Sequence, residues 1–501
     1  MIRLRAELCL SVAVVLFSAT AVAAADDAWV QLKTPNFTVV ANGGDRRARD
    51  IALQFERYRT AIQSAWPWAR TQLDRPVVVI AAKDEATMKM LAPQYWEKGS
   101  RLQPASVFAT APDAYFITLR SDIRADDNQN TNPYQTSYWS YTSLALASAF
   151  EHPLPLWFRN GFAAVLSNSL VRDDHIDFGR PLSDALRTLN TGSRLRIVEF
   201  LTLDAKSRYY SDAATRPSFD AQCWAVVHYL LFGRPDDRAD RVNELAKLLL
   251  DGKSSVEAVQ QVFGSVDALQ GELVRYMTQQ VFRYASVKTP TTISPDTFMS
   301  QPLDAGQVAA LRARYHVAMG RTDDARALVD AAKARTPVPV AFLDVDAFLL
   351  DRQGKRDDAR AVYAKAAEAN SDSFFSLYRL ASLEMQPNAS TEQLARIEAL
   401  LRRSTTSNTA FAPAHTLLAE VLTSQNRGAE AVEIAKRAAT LDPGGAAPRL
   451  ALARALWTLS RREEARGQAL AARTFADSDQ EHAAVQSMLD FFERAAAAAP
   501  R

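Results

Sequence analysis

The chain of 501 residues holds six histidines, at positions 152, 175, 228, 316, 415 and 482, and two cysteines, at 9 and 223. Imidazole, thiolate and carboxylate groups bind transition metals and move protons near neutral pH, so their spacing decides which chemistry is open to the chain. None of the histidines is followed by glutamate, and no two stand four residues apart. The pattern that sets two imidazoles one helical turn apart, with a base beside the first, is therefore missing. Glu151-His152 is followed by Pro153, which takes the pair out of a helix and favours a cap or loop contact over metal binding. Asp173, Asp174, His175 and Asp177 could face a divalent cation. Such ions ask for about six or more oxygens, and this run reads more simply as a solvated loop. Gly252-Lys253-Ser254 imitates the end of a phosphate loop, but the earlier glycine falls on Lys247, so the segment reads as a helix stop. There is no Gly-x-Ser-x-Gly elbow, and Cys223 lies in an apolar helix with no evident base. His228, on the same helix, reads as a hydrogen-bonded core residue.

The length predicts two or three domains rather than one core. An apolar fraction of 48% and a charged fraction of 23% are those of a soluble globular chain. A formal charge of +2 gives no pull toward nucleic acid or an acidic membrane surface. Residues 1–25 read as a secretory signal peptide: Arg3 and Arg5, an apolar run from Leu8 to Val22, then small residues from Ala21 to Ala25. That run is short for a membrane span, and no later stretch is long and apolar enough for one. After cleavage only Cys223 would remain, which excludes an intramolecular disulfide. The Ala- and Arg-rich composition points to a Gram-negative source, and hence to a periplasmic or secreted protein.

From the mature start, Trp29 to Asn42 alternates as a strand pair, and Asp45 to Ala65 follows as an amphipathic helix. Pro76 to Ala81 is a buried, β-branched strand, Asp84 caps a helix running to Leu91, and Val107–Thr110 and Tyr115–Leu119 form a hairpin around Pro112-Asp113. Asp122 to Pro133 is a loop, and from Tyr138 the chain is almost entirely helical. Lys288 to Pro302, rich in Thr, Ser and Pro, reads as a linker between domains.

Leu154-Pro155-Leu156-Trp157 with Asn160-Gly161 resembles the Leu-Pro-x-Trp-Leu-x-Glu-Gly-Leu-Ala-Glu segment of bacterial peptidase-MA-like (gluzincin) domains. Trp29–Phe37 with its helix, Gly179-Arg180-Pro181-Leu182, Ala221 to Tyr229, Gly252 and Phe263-Gly264 are similar to further motifs of that family, in the same order across residues 27–285. The resemblance implies an α+β fold, a small sheet plus helices, whose zinc chemistry is degenerate here. The positions of its histidine and base residues fall on Ser140, Tyr141 and Leu144, and its third-ligand glutamate falls on Asn160. It implies no metal, no cofactor and no catalytic residue in this chain.

The C-terminal part repeats. Ala325, Ala359, Ala395, Ala431 and Ala465 are spaced by 34, 36, 36 and 34 residues, each preceded by another alanine at 313, 347, 381, 419 and 453. This resembles the tetratricopeptide (TPR) pattern of stacked helix-turn-helix units, in which small residues let helices approach closely. The expected organisation is multidomain: signal peptide 1–25, peptidase-like domain 27–285, linker 286–304, about five TPR units over 305–479 forming an all-α solenoid, and a capping helix and tail over 480–501. By the family pattern the groove would include Arg314, Asp344, Phe348, Tyr378, Glu420, Arg454 and Trp457. These readings favour a non-catalytic scaffold that takes a protein or peptide ligand in the TPR groove. The alternatives are a metal-dependent hydrolase with a misaligned site and a purely structural role in the envelope.

Overall fold

The computed structural model describes residues 28–97, 99–100, 103–123, 132–147, 150–192, 194–233, 238–289, 293–335 and 337–497. The signal peptide expected at 1–25, most of the loop expected after Asp122 and the extreme tail lie outside them.

Strands β1 (Trp29–Lys33) and β2 (Phe37–Ala41) form the expected antiparallel pair, with Val30 opposite Ala41. Their turn is fastened by Glu56, a buried carboxylate on helix α1 (Asp45–Ala65). It accepts hydrogen bonds from Thr34 Oγ1 at 2.6 Å, Asn36 N at 2.9 Å and Asn36 Nδ2 at 2.7 Å. Strand β3 (Val77–Ala82) is buried at every position, which is why it carries an unbroken apolar run instead of an alternating one. Helix α2 (Glu85–Leu91) starts where the Asp84 carboxylate accepts from Thr87 N at 2.8 Å. Strands β4 (Ser106–Ala111) and β5 (Ala114–Arg120) make the hairpin around Pro112-Asp113, with Ala111 opposite Ala114.

Helices α3 (Gln135–Ala147) and α4 (Leu156–Ser167) follow, then the short hairpin β6 (Leu170–Val171) and β7 (His175–Phe178). Seven helices come next: α5 (Ser183–Thr191), α6 (Ile197–Leu201), α7 (Arg208–Ser211), α8 (Arg216–Phe232), α9 (Arg238–Leu250), α10 (Ser255–Phe263) and α11 (Val266–Met277). Helix α4 lies directly on α8 because residue 161 is glycine: a Cβ there would stand 2.3 Å from the carbonyl oxygen of Cys223. Gly252 ends α9 with φ +83°, against the ring of His152, and Ser254 caps α10 by accepting from Glu257 N. The phosphate-loop imitation is thus a helix stop.

The stretch 286–304 is not the free linker expected. It supplies most of β8 (Ala285–Lys288), which pairs with β7, and all of β9 (Met299–Leu303), which pairs with β1. Strand β9 becomes one edge of a six-stranded mixed sheet ordered β4-β5-β3-β2-β1-β9. One face of this sheet, through Phe37, Val39, Val77, Val79 and Ile117, joins the main core with α1, α3 and α4. The other face presents Trp29, Val40, Val78, Ile80 and Phe116, and α2 covers only part of it. The remainder is closed by α12 (Ala305–Ala318), whose fully buried Tyr315 stands edge-on to Phe116 at 5.6 Å between ring centroids.

That same α12 opens a row of five helical hairpins. They are α12 with α13 (Thr322–Lys333), α14 (Val340–Arg352) with α15 (Arg356–Glu368), α16 (Phe374–Glu384) with α17 (Thr391–Ser407), α18 (Ala412–Ser424) with α19 (Gly428–Leu441), and α20 (Ala446–Thr458) with α21 (Arg462–Phe475). Helix α22 (Asp479–Ala497) covers the last face. Nine of the ten periodic alanines have no exposed surface, and the exception is Ala395. The third hairpin has a longer turn, and α17 starts late from a capping box at Ser390 and Gln393, so Leu394 takes the buried place. The other tight turns each need one residue in the left-handed region: Gly320, Gly354, Asn426 and Ser460, with φ from +60° to +74°.

Two substitutions test this account. Ser460→Gly relieves a left-handed backbone that a side chain disfavours, and should raise stability by about 1 kcal/mol in denaturant unfolding. Gly161→Ala should lower it by about 2 kcal/mol or more, although alanine is the better helix former in isolation. A neutral or stabilising Gly161→Ala would mean that α4 and α8 are not held at this spacing.

Candidate functional site

The four positions expected at a degenerate metal site fall on two neighbouring helices. Ser140, Tyr141 and Leu144 lie on α3, Asn160 on α4. Ser140 and Tyr141 are buried. The ring of Tyr141 sits 5.5 Å from Phe37 and 6.2 Å from Tyr58, inside an aromatic cluster where Tyr58 stacks on Tyr138 at 4.3 Å. Burial pushes the Tyr141 hydroxyl well above its ordinary pKa, and that hydroxyl has no hydrogen-bond partner. Leu144 is half-buried. Asn160 belongs with α8 instead, where Arg216 Nε meets Asp220 Oδ2 at 2.7 Å. Burial raises the Asp220 carboxyl above its ordinary value against the pull of Arg216 and, more weakly, of the Asn160 amide.

The other candidates are absorbed by local structure. Asp173 and Asp174 occupy the β6–β7 turn; Asp173 pairs with Arg57 at 3.1 Å and Asp174 with His175 at 2.6 Å. Asp177 is buried and holds Arg172 at 3.1 Å. Glu151 reaches across to Arg449 at 3.4 Å. Cys223 is buried, and burial pushes its thiol far above the range in which thiolate forms. Among the described residues no three His, Cys, Asp or Glu side chains stand close enough together to hold a metal ion.

The first helices of the hairpins carry the expected groove residues, and the structure divides them. Arg314 on α12 is already engaged: it donates to Asp113 Oδ2 from Nε at 2.9 Å and from a terminal nitrogen at 2.6 Å, so the tip of the β4–β5 hairpin seats on the start of the groove. Asp344 on α14 accepts from Ser371 Oγ at 2.9 Å, and burial pushes its carboxyl up to about 6. Phe348 meets Phe375 at 6.0 Å, and Tyr378 on α16 meets Phe411 at 5.2 Å. Glu420 on α18 is bridged by Arg454 of α20 at 2.6 Å. Trp457 is half-buried at the end of the row. Its indole stacks on Phe492 of α22 at 4.3 Å and 13°, because the last hairpin needs a large flat surface under its cap.

What sequence reasoning missed is the approach of the solenoid to the sheet. Asn408 donates to the carbonyl of Asp74 at 2.8 Å, and Gly444 passes so near Phe150 that a Cβ would lie 2.7 Å from its carbonyl oxygen. Between these touchdowns lie two cavities of about 540 and 630 Å³, the first bordered by Tyr141 and the second by Leu144. Their facing walls come from segments more than 230 residues apart, so no local signal announces them.

No family model and no curated protein matches the chain. Solved structures align with part of it. A thermophilic TPR protein from Thermus thermophilus is 20% identical over 37% of this chain and 99% of that one, with a TM-score of 0.27. YrrB, a TPR protein with an unusual peptide-binding site, is 16% identical over 36% and 89%, with a TM-score of 0.30. MamA is 19% identical over 34% and 91%, with a TM-score of 0.28.

His228 on α8 is a core residue with both nitrogens bonded. Nε2 must carry the proton, since it faces the carbonyl of Gly179 at 2.6 Å, and Nδ1 then accepts from the Tyr276 hydroxyl at 2.6 Å. Burial lowers its pKa from the usual 6.5 to about 4, and does the same at His316. The unfolded chain therefore binds protons that the folded chain refuses. Their contribution to stability is complete above about pH 6.5 and is lost as pH falls toward about 4. A shift of this size corresponds to about 3 kcal/mol per group as an upper bound. Denaturant unfolding should show His228→Gln losing less stability than the wild type between these pH values; an identical slope would show that His228 is charged in the fold.

Proposed function

We propose that this chain is an exported, non-catalytic scaffold that recruits a protein or peptide on the first-helix face of its solenoid, with an N-terminal part that is a peptidase-like fold whose metal chemistry has been replaced by packing. The observation that carries the reading is the seat of Asp113 on Arg314. An acidic turn of the chain itself is held there by a bidentate, charge-assisted contact, the same contact a foreign acidic loop would make further along. Beyond this point the face continues through Tyr378 and the Glu420–Arg454 pair. Stacked hairpins offer an extended surface of this kind because each unit adds its first helix to the same side. The peptidase-like part of the reading is supported by Ser140, Tyr141, Leu144 and Asn160, whose side chains serve packing at the positions where the resemblance places ligands and base.

Site-specific crosslinking tests the reading. A photoreactive phenylalanine at Tyr378 should give a discrete covalent adduct in the producing cell, whereas the same group at Lys436, on the exposed side of α19, should give none. Equal adducts at both positions, or none at either, would overturn it.

A further inference from the structure

The two cavities between the sheet and the solenoid share Arg59, Thr71, Gln72 and Ala410 in their walls, so they are adjoining compartments of a cleft. Each part is of the size that holds a ligand rather than a few waters. One wall is the end of the sheet where β1 finishes and β2 and β3 begin, together with the loop from Ala69 to Arg75. The other is the rim of the third and fourth hairpins, from Ser407 to Pro413 and at the end of α19.

The lining is strongly one-sided in charge. Five cations border the cleft, Lys33, Arg59, Arg70, Arg75 and Arg437, against two carboxylates, Asp74 and Asp442. Asp74 is spent locally: it holds Arg75 at 3.2 Å and accepts from the Tyr115 hydroxyl at 2.8 Å. Arg75 is likewise fixed by the carbonyl of Ala111 at 2.8 Å and lies over the Tyr115 ring. Among the described residues no carboxylate pairs with Lys33, Arg59, Arg70 or Arg437. Cations gathered in a cleft with protein walls focus a positive potential that water screens poorly.

Behind the wall of the cleft two donors are buried without a partner. Tyr141 is 1% exposed, borders the cleft, and leaves its hydroxyl without a partner. The buried Nε of Arg59 is also unpartnered. Both atoms are enclosed, with no surface open to the cleft.

We propose that this cleft binds an acidic peptide, whose carboxylates meet Lys33, Arg59, Arg70 and Arg437. A peptide suits the space better than a lone anion, since the cleft is long and the cations are spread over both compartments. Apolar side chains, Phe374 and Leu73 in one part and Leu144 in the other, back the polar groups. The site lies where the third and fourth hairpins meet the sheet, and its cations, Lys33, Arg59, Arg70 and Arg437, are not among the groove residues of the scaffold reading.

The test uses the whole mature chain and fluorescence polarisation with a labelled hexapeptide of alternating glutamate and alanine. The acidic peptide should bind and a lysine-alanine counterpart should not. Lys33→Glu with Arg437→Glu, both at exposed positions, should weaken binding at least about tenfold, since each replaces attraction by repulsion. Equal binding of the two peptides, unchanged affinity in the double variant, or competition by succinate as effective as that by the unlabelled peptide would each overturn the proposal.

Discussion

The architecture depends on one demand: a six-stranded sheet has two apolar faces, and both must leave water. Helices α1, α3 and α4 bury one face, but α2 is too short to bury the other. Helix α12 meets the remaining need with Tyr315 over Phe116, flanked by Val308, Leu311 and Met319. Burying side chains of this kind is worth about 1.5–3 kcal/mol each relative to exposure. No exposed ion pair between the two parts approaches that, since such pairs contribute about 0–1 kcal/mol. The contact of Arg449 with the exposed Glu151 therefore sets orientation more than it supplies cohesion, while the Arg314–Asp113 pair is half-buried.

Because α12 belongs to the sheet and to the solenoid at once, the hairpin row is anchored at its first unit, and its later units are carried back over the end of the sheet. The cleft is a result of that path. It is bounded where Asn408 and Gly444 touch the N-terminal part and left open between them. A site formed this way keeps its walls at a fixed separation as long as both anchors hold.

Much of the fold was legible in the chain. The strands β2, β3 and β5 announce themselves through β-branched runs, α1 and α8 through apolar spacing and caps, and the hairpins through alanines that no other pattern explains. The parts that were not legible share a cause. Strand β9 reads Met-Ser-Gln-Pro-Leu and is largely exposed, so nothing in its composition asks for a sheet; only the free edge of β1 does. Ala395 misled because the period counts residues, while burial follows the helix start that Ser390 dictates. Trp457 has the spacing of a groove residue, but α22, which its own repeat does not encode, takes that face. The positions assigned by resemblance lie on α3 and α4, yet spacing could not tell that Asn160 stands near Asp220 while Tyr141 is enclosed among Phe37 and Tyr58.

The late position of β9 and α12 in the chain has a consequence for how the molecule comes into being. A polypeptide emerging from its N-terminus completes β1 to β5 by residue 120, but the partner of β1 and the cover of Phe116 arrive only with residues 299 to 318. For the time needed to make some 180 further residues, at about 5–20 residues per second, the nascent sheet presents an unpaired edge and a bare apolar face. Both are templates for association with a neighbouring copy. The chain is thus one whose yield depends on being shielded during synthesis or passage, and whose shortened forms ending before Met299 inherit that exposure permanently.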